Sequence, residues 1–175
     1  MYILEDKFYA NVDQQRWLDF FKSSDFPFFY TTVYPDRDFF KMFCHSLMKR
    51  NPDNEHLGGI VNSPFYEIAE SFLLEICKQN NLDLNVVYRA SVNGSFHYDV
   101  NHTFIHVDHE FDHKVFLLYL NTCKGDTILF NSHDQIIKTI TPEKNKYVIF
   151  DGNIRHASSF CEQGDCRFVL AMTFN

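Results

Sequence analysis

Apolar and polar positions divide the chain into two stretches of different period. Over 64–79, apolar residues recur at Phe65, Ile68, Ala69, Phe72, Leu73, Ile76 and Cys77. This is the i, i+3, i+4, i+7 stripe of an amphipathic helix. Ser63 is placed as its N-cap, and Pro64 suits the first helical position because it has no N–H to leave unpaired. A shorter helix is predicted over 14–22 and another over 39–49. The segment 51–62, with Pro52, Gly58 and Gly59, reads as a loop, and the aromatic run FPFFYTTVY (26–34) reads as packing. After residue 84 the period shortens. β-rich runs fall at about 85–92, 95–99, 103–108, 114–120, 127–130, 135–140, 146–150 and 167–174. Asn93-Gly94 predicts a two-residue hairpin turn between the first two runs. VFLLYL and YVIF are apolar at consecutive positions, so they are expected to be covered on both faces. The pattern predicts a mainly β domain with bracing helices, two packed sheets in a jelly roll, with a plain mixed α+β sheet as the alternative.

A chain of 175 residues suits one domain, 1–175, with a helical part to about 84 and a β core over about 85–175. The 20 phenylalanines imply an aromatic interior or a lined cavity. A formal charge of −7 argues against nonspecific nucleic-acid binding, which needs a basic footprint. It leaves a nucleotide or modified base open as substrate, and it favours a neutral or cationic target over a long polyanion. The N-terminus lacks the basic start and apolar core of a signal peptide. No apolar run approaches the ~20 residues of a spanning helix. A cytoplasmic protein without membrane contact is expected. The five cysteines show no CxxC pair, and Cys161 and Cys166 are read as free thiols.

The chemistry concentrates in the second half. In an extended segment residues i and i+2 project to one side, so His106 and Asp108 converge. His156 follows the apolar run YVIFDG. Two histidines and one carboxylate are the donor set of non-haem iron(II) sites, which keep positions open for other ligands. Arg167 opens the run RFVLAMTF and shares a face with Val169, Ala171 and Thr173. An arginine among small or apolar neighbours needs an anionic partner, and a guanidinium matches a carboxylate with two parallel hydrogen bonds.

The ordered set HVD (106–108), LLYLN (117–121), GDTILF (125–130), NKYVIFDG (145–152), RH (155–156) and RFVLAMTF (167–174) resembles the 2-oxoglutarate/iron(II) oxygenase superfamily. It lies closest to the prolyl-4-hydroxylase-like branch and its small stand-alone bacterial and phage members. The resemblance is strong over about 85–175 and weaker before it. It implies a double-stranded β-helix, cupin-like, with Fe(II) as metal and 2-oxoglutarate and O2 as cosubstrates. His106, Asp108 and His156 match the family's iron ligands, and Arg167 matches its 2-oxoglutarate-binding basic residue. Tyr119 matches the tyrosine that bonds the same carboxylate. Leu117 would line the cosubstrate pocket, and Thr127 stands where relatives carry a small or polar residue. Lys124-Gly125 departs from the two glycines of many relatives and is read as a turn change. The implied reaction is hydroxylation of a C–H bond with release of succinate and CO2. The substrate is a small molecule or a protein side chain.

Other readings stay open. A cupin-like module that uses metal without turnover would consume no O2, and a metal-dependent isomerase would work without it. His109 and His113, in the charged turn DHEFDHK, are read as solvated; His97 and His102 are assigned to a lid or substrate wall. Arg155 is read as an exposed charge. Alternation lets either Tyr88 or Arg89 face the cavity, not both. A symmetric homodimer is the base-rate expectation.

Overall fold

The computed structural model describes residues 1–34 and 37–175. In chain order it contains β1 (Ile3–Lys7), α1 (Val12–Phe20), β2 (Phe29–Tyr34), β3 (Arg37–Lys49), β4 (Ile60–Val61), α2 (Tyr66–Gln79), β5 (Val87–Ser95), β6 (Lys114–Tyr119), β7 (Thr127–Phe130), β8 (Ile136–Ile140), β9 (Lys146–Asp151), β10 (Arg155–Ser158) and β11 (Arg167–Phe174). The larger sheet runs β1-β9-β6-β11-β5-β3-β2, with β4 on β3; the smaller runs β10-β7-β8. An antiparallel bridge between His106 and His156 adds the 106 segment beside β10. Two antiparallel sheets with helices bracing the larger one make a double-stranded β-helix.

The doubly apolar strands are explained by two cores. Phe116, Leu118, Ile149, Leu170, Met172 and Phe174 pack toward α1 and α2, together with Phe72, Leu73 and Ile76. Their sequence neighbours Val115, Leu117, Tyr119, Val148, Phe150 and Val169 point the other way, between the sheets, against Leu129 and Ile140. A period of two puts alternate residues on opposite faces, and here both faces are dry. Phe72 is 1% exposed and meets Phe8 and Phe21 edge-on. Phe72→Ala is expected to lower stability by about 3–5 kcal/mol, since the cavity adds to the lost transfer energy. A denaturant melt reads this directly.

Several sequence expectations are corrected. The predicted helix over 39–49 is strand β3, held on both sides by β2 and β5. Sheet pairing overrides local preference there. Asn93-Gly94 makes no hairpin. β5 runs through it, and Gly94 pairs with both Phe43 and Phe168. A Cβ at Gly94 would lie 2.8 Å from the Phe168 ring, so glycine serves close packing there, not a turn. Residues 96–99 and the run 103–108 form no ladder beyond the single His106 bridge; Ser95 belongs to the end of β5. β1, β2 and β10 were not expected. Helix α1 starts at Val12, not residue 14. It carries a capping box in which Asn11 accepts from the Gln14 N–H and the Gln14 side chain accepts from the Asn11 N–H. Helix α2 starts at Tyr66 with Phe65 as its N-cap, so Ser63 and Pro64 fall in the turn before it, where Ser63 accepts from the Phe65 N–H and also meets His45. No helix among the described residues is long and apolar enough to cross a membrane.

Candidate active site

The two sheets enclose a cleft of about 770 Å³. His106 and Asp108 reach it from the irregular segment before β6, and His156 from β10. The reciprocal backbone bonds His106 N–H to His156 O (3.0 Å) and His156 N–H to His106 O (2.9 Å) fix the two imidazoles side by side. Their ring centroids are 4.5 Å apart. Ligand atoms of His106, Asp108 and His156 all lie within 4.8 Å of one another. Both Nδ1 atoms face backbone carbonyls, of Phe104 at 3.0 Å and Ile154 at 3.1 Å. A carbonyl only accepts, so each ring carries its proton on Nδ1 and its lone pair on Nε2. This is the orientation a metal requires of an imidazole ligand. Val107, between the two residues, is 38% exposed at the cleft.

Asp108 lies 3.5 Å from His156 Nε2 and 3.4 Å from Arg89. Burial alone would raise its pKa. The close approach of His156 and the charge of Arg89 outweigh it and hold the carboxyl below the usual range. Burial and the neighbouring His156 push His106 down from 6.5, so it is neutral at pH 7. The site thus offers a divalent cation a carboxylate and, at His106, a neutral imidazole.

Across the cleft, Arg167 is 6% exposed at the start of β11. It donates to Thr127 Oγ1 (3.0 Å), which also accepts from the Tyr119 hydroxyl (2.7 Å). The guanidinium lies 5.4 Å from the Tyr119 ring centre. Arg167 Nε has no partner, and among the described residues no carboxylate pairs with this guanidinium. At Gly125, φ +121°, an added Cβ would lie 3.3 Å from Arg167 Cδ, so a side chain there would be strained and crowded. Leu117, Val169, Ala171 and Thr173 line the cleft as period two requires. Tyr119 does not line it. It sits behind Thr127, fully buried in the inter-sheet core.

Of the pair that alternation allowed, Arg89 faces the cleft, while Tyr88 is buried against Phe111 on the other side. The structure adds Arg50, which the sequence reading missed. Arg50 donates to the Asp108 carbonyl (2.6 Å) and pairs with Glu55 (3.1 Å). His109 and His113 are buried, at 5% and 6% exposure, and not solvated. His109 bridges Glu55 (2.9 Å) and Thr173 (2.8 Å). Nothing local distinguishes a buried from an exposed histidine in DHEFDHK; the packing of the 109–113 turn against β5 decides it. His97 bonds the Cys161 carbonyl and Asp99, and His102 packs on Phe130. Neither lines the cleft. Arg155 pairs with Asp134 at 2.6 Å. All five cysteines are free thiols.

The lowered pKa of His106 and of His109 (burial first, then Arg50 and His113) has a sign. Both rings take a proton less readily folded than unfolded. Stability is therefore fully present above pH 6.5 and falls as pH drops below it toward the folded values. The metal-free protein is expected to melt several degrees lower at pH 5.5 than at 7.5, with the difference reduced in His109→Gln. Thermal scans at the two pH values check it.

No family model matches the chain, and no curated protein matches it. Solved structures do. An oxidoreductase of the 2OG-Fe(II) oxygenase family from Burkholderia pseudomallei matches with a TM-score of 0.74 at 12% identity, over 99% of this chain and 84% of the other. A prolyl hydroxylase from Trichoplax adhaerens, solved with a hypoxia inducible factor peptide, gives 0.66 at 10%, over 98% and 82%. The epimerase SnoN, solved with Fe3+, alpha ketoglutarate and nogalamycin RO, gives 0.66 at 8%, over 98% and 78%. The fold is the one these oxygenases share.

Proposed function

We propose that the protein is an Fe(II)- and 2-oxoglutarate-dependent dioxygenase that hydroxylates a C–H bond of its substrate. One observation carries the reading: the His106, Asp108, His156 cluster shares a cleft with a buried guanidinium that lacks an anionic partner. A buried unpaired charge is costly. Arg167 therefore fits a carboxylate ligand that arrives with the metal. The donor set fits ferrous iron, being nitrogen and oxygen without thiolate. A metal-only binding module would have no use for Arg167. The structural neighbours, solved with peptide or small-molecule partners, support the class of reaction and leave the substrate open.

His106, Asp108 and His156 would hold the metal through two Nε2 atoms and a carboxylate oxygen. When bound, iron with 2-oxoglutarate and O2 supplies an oxidant strong enough to break a C–H bond. Arg167 would take the far carboxylate of 2-oxoglutarate. Thr127 orients the guanidinium, and Tyr119 holds the Thr127 hydroxyl by donating to it, so Tyr119 acts through Thr127. Val115, Leu117 and Val169 keep the cosubstrate side dry, which strengthens the charge pairing there.

The test is an anaerobic titration with Fe2+ and then 2-oxoglutarate, following the weak visible charge-transfer band of a chelated 2-oxo acid. The band is expected in the wild type and lost in His106→Ala. Iron uptake with no band at any 2-oxoglutarate concentration would overturn the proposal.

A further inference from the structure

The chain is acidic, yet its cleft is not. Among the described residues, the lining includes Lys49, Arg50, Arg89 and Arg167 against a single carboxylate, Asp108. A net charge of −7 for the whole chain therefore says nothing of the sign at the site. Clefts with low-dielectric walls focus the field of the charges that line them.

These cations form two poles. On the β5–β11 ladder Arg167 stands opposite Ser95, and Arg89 opposite Thr173. Six residue steps separate the two positions, about 20 Å of strand at ~3.3 Å per residue. That is several times the span of a five-carbon diacid. An anion seated on Arg167 leaves the second pole unused.

Asp108 currently occupies that second pole. Its Oδ1 lies 3.4 Å from Arg89 and 3.8 Å from Arg50. A divalent cation held by Asp108 would take up the carboxylate's charge, leaving Arg89 without its counter-ion and Arg50 with Glu55 alone, at 3.1 Å. Two guanidinium forks beside the metal cluster match the geometry of a carboxylate or phosphate. Asn93 lies on the same face of β5, lines the cleft, and has an unpartnered Oδ1, which a donor on the substrate away from its oxyanion would meet. The volume of about 770 Å³ suits a small molecule.

We infer that Arg89 and Arg50, with Lys49 at the rim, form a subsite for an oxyanion, carboxylate or phosphate, carried by the small-molecule substrate. This rests on the dioxygenase reading above. The subsite binds and orients; it moves no proton. It revises the expectation from overall charge that the target is neutral or cationic.

Sulfate is the probe, because it carries two charges and leaves Fe2+ in solution. Wild-type protein loaded anaerobically with Fe2+ and 2-oxoglutarate is titrated with sulfate by calorimetry. Binding is expected, with affinity at least tenfold lower in R50Q/R89Q, within a few-fold of wild type in R89K, and lower in the metal-free protein, where Asp108 competes. Should the double variant fail to fold, K49Q and R89Q singly are each expected to lower affinity several-fold, and singles that bind sulfate as wild type does overturn the subsite. Wild type that takes up metal and 2-oxoglutarate but ignores sulfate, or a double variant that binds it equally, overturns the subsite and leaves the dioxygenase reading standing. Protein that takes up neither metal nor 2-oxoglutarate overturns both.

Discussion

Arg167→Leu is expected to lower 2-oxoglutarate affinity by about 100-fold, equivalent to ~2.7 kcal/mol, while leaving the ligand-free protein as stable as wild type or more so. The two signs come from one cause. In the ligand-free protein the guanidinium is buried, bonded to Thr127, and left with an unpartnered Nε. Replacing a poorly compensated buried charge with an apolar side chain of similar size is often neutral or stabilising. The same charge becomes an asset once a carboxylate pairs with it in the dry half of the cleft. Arg167→Lys keeps the charge and loses the fork, so an intermediate affinity is expected. Thermal melts of ligand-free protein, run beside 2-oxoglutarate titrations of metal-loaded protein, check both halves. An ordinary structural arginine would show a fall in both.

Asp108→Asn is expected to reduce Fe2+ affinity by more than 100-fold. Disturbing the residues that merely orient metal ligands costs 10–100-fold in known sites, and here a ligand loses its charge. The neighbours make the loss worse: Arg89 at 3.4 Å and Arg50 at 3.8 Å, balanced by Asp108 in the native protein, would repel the cation. The fold should survive, since the amide keeps the shape and both guanidiniums reach solvent. Anaerobic metal titration with circular dichroism as the folding control measures it. Near-native iron binding in Asp108→Asn would remove Asp108 from the ligand set.

Much of this was legible in one dimension because it rests on short-range geometry. HVD places two side chains on one side whether or not a ladder forms, and the structure brings them to His156 with only a single bridge. RFVLAMTF reads correctly because period two holds in any strand. The α2 stripe reads correctly because period 3.6 holds in any helix, and its residues 69, 72, 73, 76 and 77 are all buried. The misreadings share a different cause. β3 has residues that suit a helix, and Asn93-Gly94 has the residues of a turn. Each is overruled by partners far away in sequence: β2 and β5 for the first, Phe43 and Phe168 for the second.

The sequence by itself determined the sheet-rich architecture, the His106, Asp108 and His156 cluster and the arginine that shares its cleft, since each depends on periodicity or on residue types in order. The tertiary structure alone decided which side chains the cleft gathers beside them. Arg50 comes from the end of β3, Arg89 from β5, and Glu55 and His109 from two separate turns. Their meeting depends on chain closure over dozens of residues, and no local pattern encodes it. The sign of the cleft was decided the same way, because electrostatic potential depends on distances in space and not on the sum of charges along the chain.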